Sequence, residues 1–223
     1  MRKRLAVQGS VKLLSGALTM GLLLFLPAGT IDYPGAWRLL CVFFIPAFIL
    51  GFVLLIAKPE LLAKRLNTKE TEPGQRRVLA FSSLIFAASF LLCALDFRFG
   101  WSAVPVWLST VGCAVFLLAY VGFAELLREN EYLSRSVELQ AGQKVVSTGM
   151  YGIVRHPMYA VIIWLFLSMP LIIGSYVGLI PLAFIPYVLV KRLLNEEKLL
   201  RGGLDGYDEY MEKVRYRLIP FVW

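Results

Sequence analysis

The chain alternates long apolar runs with shorter polar ones. Six apolar stretches stand out, roughly 11–27, 39–57, 78–97, 104–123, 157–174 and 176–190. A helix needs about 20 apolar residues to cross a bilayer, with a usable range of about 17–25. The first five stretches fit that range. The sixth is short unless Lys191 and Arg192 snorkel their charged ends to the interface. Gly174 and Ser175 leave almost no loop before it, so the last two stretches are expected to form a tight helical hairpin, one arm of which need not cross completely. Arg2, Lys3 and Arg4 followed by an apolar run and Ala28-Gly29 have the outline of a signal peptide. Further apolar spans follow and no extracellular domain does, so a retained first span is expected. The pattern predicts an all-α integral membrane bundle of about six apolar helices.

Composition agrees. The 223 residues are 58% hydrophobic and 17% charged, against about 45–50% and about 25% for soluble domains. That argues against a soluble enzyme, a disordered chain or a disulfide-stapled module. Cys41, Cys93 and Cys113 each sit inside an apolar run without CxxC spacing, as small buried hydrophobes do.

The net charge of +8 would raise nucleic acid as a partner for a soluble protein. Here its placement decides otherwise. With six crossings and an inside N-terminus, all of the 23 Lys and Arg except Arg38 and Arg98 fall on the inside. This bias predicts cytoplasmic termini and accounts for the charge without nucleic acid. Three polar regions then meet on the cytoplasmic side: 58–77, 124–156 and the tail from 191.

The single histidine, His156, lies in Gly149-Met-Tyr-Gly-Ile-Val-Arg-His-Pro-Met-Tyr159. Gly149 and Gly152 permit backbone shapes that other residues resist. Pro157 suits the first turn of a helix and keeps His156 out of the α region. Arg155 and His156 therefore precede a membrane helix at its N-terminal end, where partial positive charge and free N–H groups suit an anionic ligand group. The same residues also read as a helix cap with an interfacial Arg and Tyr.

A second cluster, Arg192-Leu-Leu-Asn-Glu196-Glu197, follows the last apolar stretch without a break. In a continuing helix, Arg192 and Glu196 lie one turn apart on one face, and Glu197 points about 100° away. It reads either as a solvated juxtamembrane end or as a carboxylate holding a cationic or hydroxyl-bearing ligand. The tail over 207–223 is amphipathic and aromatic. It either lies in the interface or folds back as a lid. GxGxxG, P-loop, HExxH and Gly-x-Ser-x-Gly patterns are absent from the sequence. One histidine and membrane-buried cysteines argue against a catalytic zinc, and no metal is expected. No span carries a charge near its middle, which argues against an ion-coupled transporter.

The stretch 143–159, the hairpin after it, Glu196-Glu197, and Tyr207, Tyr210 and Arg217-Leu-Ile-Pro together resemble the isoprenylcysteine carboxyl methyltransferase family, within a wider group that includes phospholipid N-methyltransferases. The resemblance covers roughly 125–223. It implies a methyltransferase core there, ending in a cofactor-covering segment, with 1–124 as N-terminal transmembrane helices. It also implies methyl transfer from S-adenosylmethionine to a lipophilic or lipidated acceptor in the membrane. Gln143, Lys144, Val145, Val146, Tyr151, His156, Pro157, Met158, Tyr159 and Glu196 would hold the cofactor, with backbone N–H groups over 149–156 on its carboxylate. Arg192 would face the substrate, and Arg192 and His156 would be the catalytic pair. Gln143 stands where the family often has His, and Ala160 where it often has Gly. A phospholipid or small-thiol acceptor is the alternative within the same fold. The ending 214–223 also resembles sterol reductases, which would imply NADPH instead. A non-catalytic membrane scaffold is the remaining alternative.

Overall fold

A computed structural model of the protein describes residues 1–67, 73–134 and 139–223. Lys69 and Arg135, two of the cations counted above as inside, lie outside the described residues. The described chain is helical, with no strand: α1 (Arg2–Ala28), α2 (Pro34–Ala57), α3 (Pro59–Leu66), α4 (Pro73–Phe99), α5 (Val106–Glu129), α6 (Pro157–Ile173), α7 (Leu179–Leu182), α8 (Ile185–Gly203) and α9 (Tyr207–Lys213). A 3₁₀ turn at Gly149–Gly152 precedes α6.

Four helices, α1, α2, α4 and α5, are long and apolar enough to cross a membrane, and α6 is a shorter apolar helix of 17 residues. Their outer faces are apolar and uncovered: Leu14, Leu118 and Val121 are each about two-thirds exposed or more. Water would penalise such a surface, and hydrocarbon accepts it. The chain is a membrane helical bundle.

The sixth apolar stretch is not one helix. Gly174 takes a left-handed conformation (φ 103°) that ends α6. The chain then turns through 175–178, makes the short α7, and restarts at Ile185 as α8. Pro181 and Pro186 supply the reason: neither has an N–H to donate, and Pro186 at the second position of α8 would clash with the turn before it in an unbroken helix. From Ile185 the helix runs on past the apolar residues to Gly203. Arg192 and Glu196 therefore do lie one turn apart on a single helix.

α6 is the central element. Its C-terminal end is wedged between α2 and α5 because small residues let the backbones approach. A methyl group on Gly35 would lie 1.7 Å from the carbonyl oxygen of Ile173, and one on Gly112 would lie 3.3 Å from Leu171 and Ile172. Ser109 donates a hydrogen bond to the carbonyl of Leu171 at 2.8 Å. Leu24, Leu39, Phe116, Met169 and Ile172 fill the core around this contact.

A polar knot closes the same end of the bundle. Asp96, 1% exposed at the end of α4, accepts hydrogen bonds from the backbone N–H and hydroxyl of Ser102, both at 2.6 Å, and from the Ser175 hydroxyl. It thus joins the α4–α5 connection to the turn after α6. Asp96→Ala would remove the acceptor of three donors, one buried on Ser175 and two part-buried on Ser102. We expect a loss of about 2–4 kcal/mol of stability, read as a lower unfolding temperature of the detergent-solubilised protein.

Candidate active site

At the opposite end of α6 the chain gathers four separate segments around one cleft. His156 caps α6 with Pro157 in its first turn. That geometry turns the backbone sharply and sets Met158 and Tyr159 on the first helical turn. α8 passes alongside and presents Arg192 and Glu196 to the same space. The segment after α5 contributes Asn130 and Tyr132 and then 143–146, and Tyr207 and Tyr210 of α9 close the far side. The cleft has a cavity volume of about 100 Å³. A single water needs about 10–15 Å³, so this is more than a packing gap.

The structure brings together most of the residues predicted for the site. Gln143, Lys144, Val145, Val146, Tyr151, His156, Met158, Tyr159, Arg192 and Glu196 all line the cleft. Pro157 does not. It is buried in the first turn of α6 and shapes the backbone from behind. The backbone N–H groups expected to cradle an anion are largely committed. Those of Gly152, Ile153 and Val154 bond within the 3₁₀ turn, those of Arg155 and His156 bond to the tail, and that of Met150 bonds to the Glu129 carboxylate. That engages six of the eight amides over 149–156.

The tail accounts for that commitment. It folds back over the site. Arg155 N–H donates to the carbonyl of Tyr216 and His156 N–H to that of Arg217, both at 2.9 Å. The Arg155 guanidinium donates to the carbonyls of Val214 and Arg215 at 2.9 and 2.8 Å. The Tyr210 hydroxyl donates to the carbonyl of Tyr151 at 2.7 Å.

Glu197 holds these parts together. One carboxylate oxygen accepts from Arg155 Nε at 2.9 Å and lies 3.3 Å from His156 Nε2, and the other accepts from Arg217 Nε at 2.9 Å. The Glu197, Arg155 and His156 side chains are all about 95% buried. Burial works to raise the Glu197 carboxyl, but hydrogen bonds from His156, Arg217 and Arg155 outweigh it and hold the group at about 2. An ionised Glu197 accepts only, so His156 Nε2 carries the proton of that contact.

Glu196, the neighbouring acid, has a different task. It is half-buried and accepts a hydrogen bond from the Tyr159 hydroxyl at 2.6 Å, with its carboxylate at the cleft wall. Two further hydroxyls in the lining, those of Tyr151 and Tyr207, are buried with no hydrogen-bond partner among the described residues. Burial raises both phenols above their ordinary range, so each remains a neutral donor. Buried polar groups are normally satisfied, and two unmet donors beside a carboxylate and Arg192 fit a polar ligand.

Sequence reasoning missed the contribution of Asn130, Tyr132, Tyr207 and Tyr210 to the lining. The i, i+3 spacing of Tyr207 and Tyr210 was the available signal, since it places both on one face of α9.

Comparison with known proteins finds one matching family model and a similar fold. Residues 110–202 match the model of the isoprenylcysteine carboxyl methyltransferase (ICMT) family, and that segment contains every site residue from Gln143 to Glu196. Among solved structures, the chain is similar to the eukaryotic intramembrane Ras methyltransferase ICMT, determined without a monobody. The identity is 19% and the TM-score 0.54, covering 92% of this chain and 74% of that one. At that identity the likeness speaks for the fold. No curated protein sequence matches. Together the family model and the fold support an ICMT-like family assignment.

Replacing Glu197 tests the bridging carboxylate. Glu197→Gln keeps the shape but leaves Arg155 buried without its carboxylate, which costs about 3 kcal/mol. The sign with pH follows from the depressed titration. The stabilisation from Glu197 is complete above its ordinary value of 4.5 and is lost as pH falls toward about 2. Thermal melts of both proteins should show a constant gap near neutral pH that closes below about 4.5.

Proposed function

We propose that the chain transfers a methyl group from S-adenosylmethionine to a lipophilic acceptor at the cytoplasmic face of the membrane. One observation carries the reading: a carboxylate, an arginine and two unsatisfied buried phenols line one cleft, and most of that lining, though not Tyr207, falls in the ICMT-matched segment.

The cofactor, when bound, supplies an already activated methyl group on a sulfonium centre, so the protein's part is alignment and exclusion of water. Glu196, fixed by Tyr159, would accept from the cofactor's ammonium or ribose hydroxyls. Tyr151 and Tyr207 would donate to its remaining acceptors. Gln143 to Val146 would close one side and Tyr210 the other, with the folded-back tail excluding solvent. With most of the amides over 149–156 engaged elsewhere, Arg192 in the cleft lining would supply positive charge for an anionic group.

An acceptor carboxylate needs no general base, and Arg192 would orient it through paired hydrogen bonds. An acceptor amine would need a base. His156 then has Nδ1 for that role, since its Nε2 proton is turned to Glu197. The surplus of Lys and Arg on one side of the spans supports cytoplasmic termini and hence a cleft open to a soluble cofactor.

Calorimetric titration of the purified protein with S-adenosylhomocysteine tests the reading. Micromolar binding is expected. Glu196→Ala should weaken it at least tenfold and Tyr159→Phe by a few-fold, because the latter frees the carboxylate rather than removing it. No binding by folded wild-type protein, or binding of NADPH in its place, overturns the assignment.

A further inference from the structure

α8 has two working faces. Arg192 and Glu196 point into the cleft. On the other side, Phe184, Tyr187, Lys191, Leu194, Lys198 and Arg201 follow one another at spacings of three and four and form a single exposed stripe along and just ahead of the helix. The stripe changes character along its length. Phe184 and Tyr187 are 57% and 58% exposed and continue the apolar surface of the bundle. Lys191 stands one turn further on, about 6 Å along the axis, and from there the stripe is basic.

A groove of about 430 Å³ runs between this basic part and the C-terminal segment, bounded by Lys191, Lys198 and Arg201 on one wall and Met211 and Arg217 on the other. That volume lies within the range of small-molecule sites, about 300–1,000 Å³. Two of its cations are already paired: Arg217 with Glu197 and Arg201 with Asp208, each at 2.9 Å. Lys191 packs over the Tyr187 ring at 4.8 Å, and neither it nor Lys198 pairs with a carboxylate among the described residues. Glu197, the one carboxylate lining the groove among the described residues, is consumed by its arginines. Beyond Arg217 the chain turns tightly and exposes Ile219, Phe221 and Val222. The groove thus carries positive charge and has apolar surface on both flanks, just past the point where the stripe on α8 turns from apolar to basic.

We propose that this groove seats the phosphate of an anionic phospholipid, with Lys191 and Lys198 as its cationic contacts and the flanking apolar residues against its acyl chains. Charge complementarity selects the anion, and continuity with the apolar face selects a lipid over a free phosphate. The site lies on the far side of α8 from the cleft and does not depend on the methyl-transfer reading.

The test uses the full chain in neutral detergent, titrated with short-chain phosphatidylglycerol and, separately, with short-chain phosphatidylcholine, while the unfolding temperature is followed. Phosphatidylglycerol is expected to raise it saturably and phosphatidylcholine to leave it unchanged. The double variant K191Q/K198Q should need roughly tenfold or more phosphatidylglycerol for the same rise, and K198Q alone an intermediate amount. A charge-matched control, K3Q/K213Q, should titrate like wild type. All substituted lysines are exposed, and melts without lipid verify that each variant folds. Equal midpoints for K191Q/K198Q and wild type overturn the proposal, as does an equal loss in the control. An equal rise with inorganic phosphate overturns the lipid as occupant.

Discussion

Burying a carboxylate is costly unless its oxygens are met by donors. Glu197 meets that condition only because three parts of the chain converge on it. Arg155 and His156 come from the entry to α6, Arg217 comes from the tail, and the carboxylate itself rides on α8. Each part depends on the others. Without the tail, two backbone amides ahead of α6 lose their carbonyl partners. Without Glu197, Arg155 is a buried cation. The cleft exists because this contact holds α6, α8 and the C-terminal segment at fixed spacing around it.

The far end of α6 needs a different solution. There close backbone approach at Gly35 and Gly112 provides the contact. Hydrocarbon offers no hydrophobic gain for joining apolar helices, so small residues, hydroxyl-to-carbonyl bonds and the Asp96 knot specify the packing. α6 is therefore anchored by close packing and the Asp96 hydrogen bonds at one end and by the Glu197 ion pairs at the other. The anchored charged end is the one that forms the cleft.

Much of this was legible in the residues. Length and apolarity mark the four long helices and α6, and Pro157 fixes the start of α6 with His156 as its cap. The break between α7 and α8 was not, because hydropathy over 176–190 is continuous while the two prolines act on backbone geometry. The roles of the two acids were also not separable from sequence. Helical period says only that Glu196 and Glu197 point about 100° apart. Which of them faces the cleft and which faces Arg155 depends on how α8 is rotated against α6, and that is set by non-local contacts. The fate of the tail had the same origin. Its amphipathic pattern suits a membrane surface as well as a lid, and only the carbonyls of 214–217 meeting Arg155 and His156 distinguish them.

The proposed reaction joins a water-soluble donor to a lipophilic acceptor, and these have opposite solvent requirements. A site in mid-bilayer would have to desolvate the cofactor's charges without compensation, and one in water would have to extract the acceptor from lipid. α8 resolves the conflict by its length. Its first turns are apolar and lie in the bundle, and its later turns carry Arg192, Glu196 and Glu197 past the apolar boundary without a break in the helix. Rigidity matters here, because alignment is the protein's main contribution to methyl transfer and a helix positions side chains more tightly than a loop. The same continuity carries the opposite face of α8 past its apolar turns. A lipid bound to Lys191 and Lys198 would therefore bear on the helix that also carries Glu196, and membrane composition would reach the cleft through one rigid element.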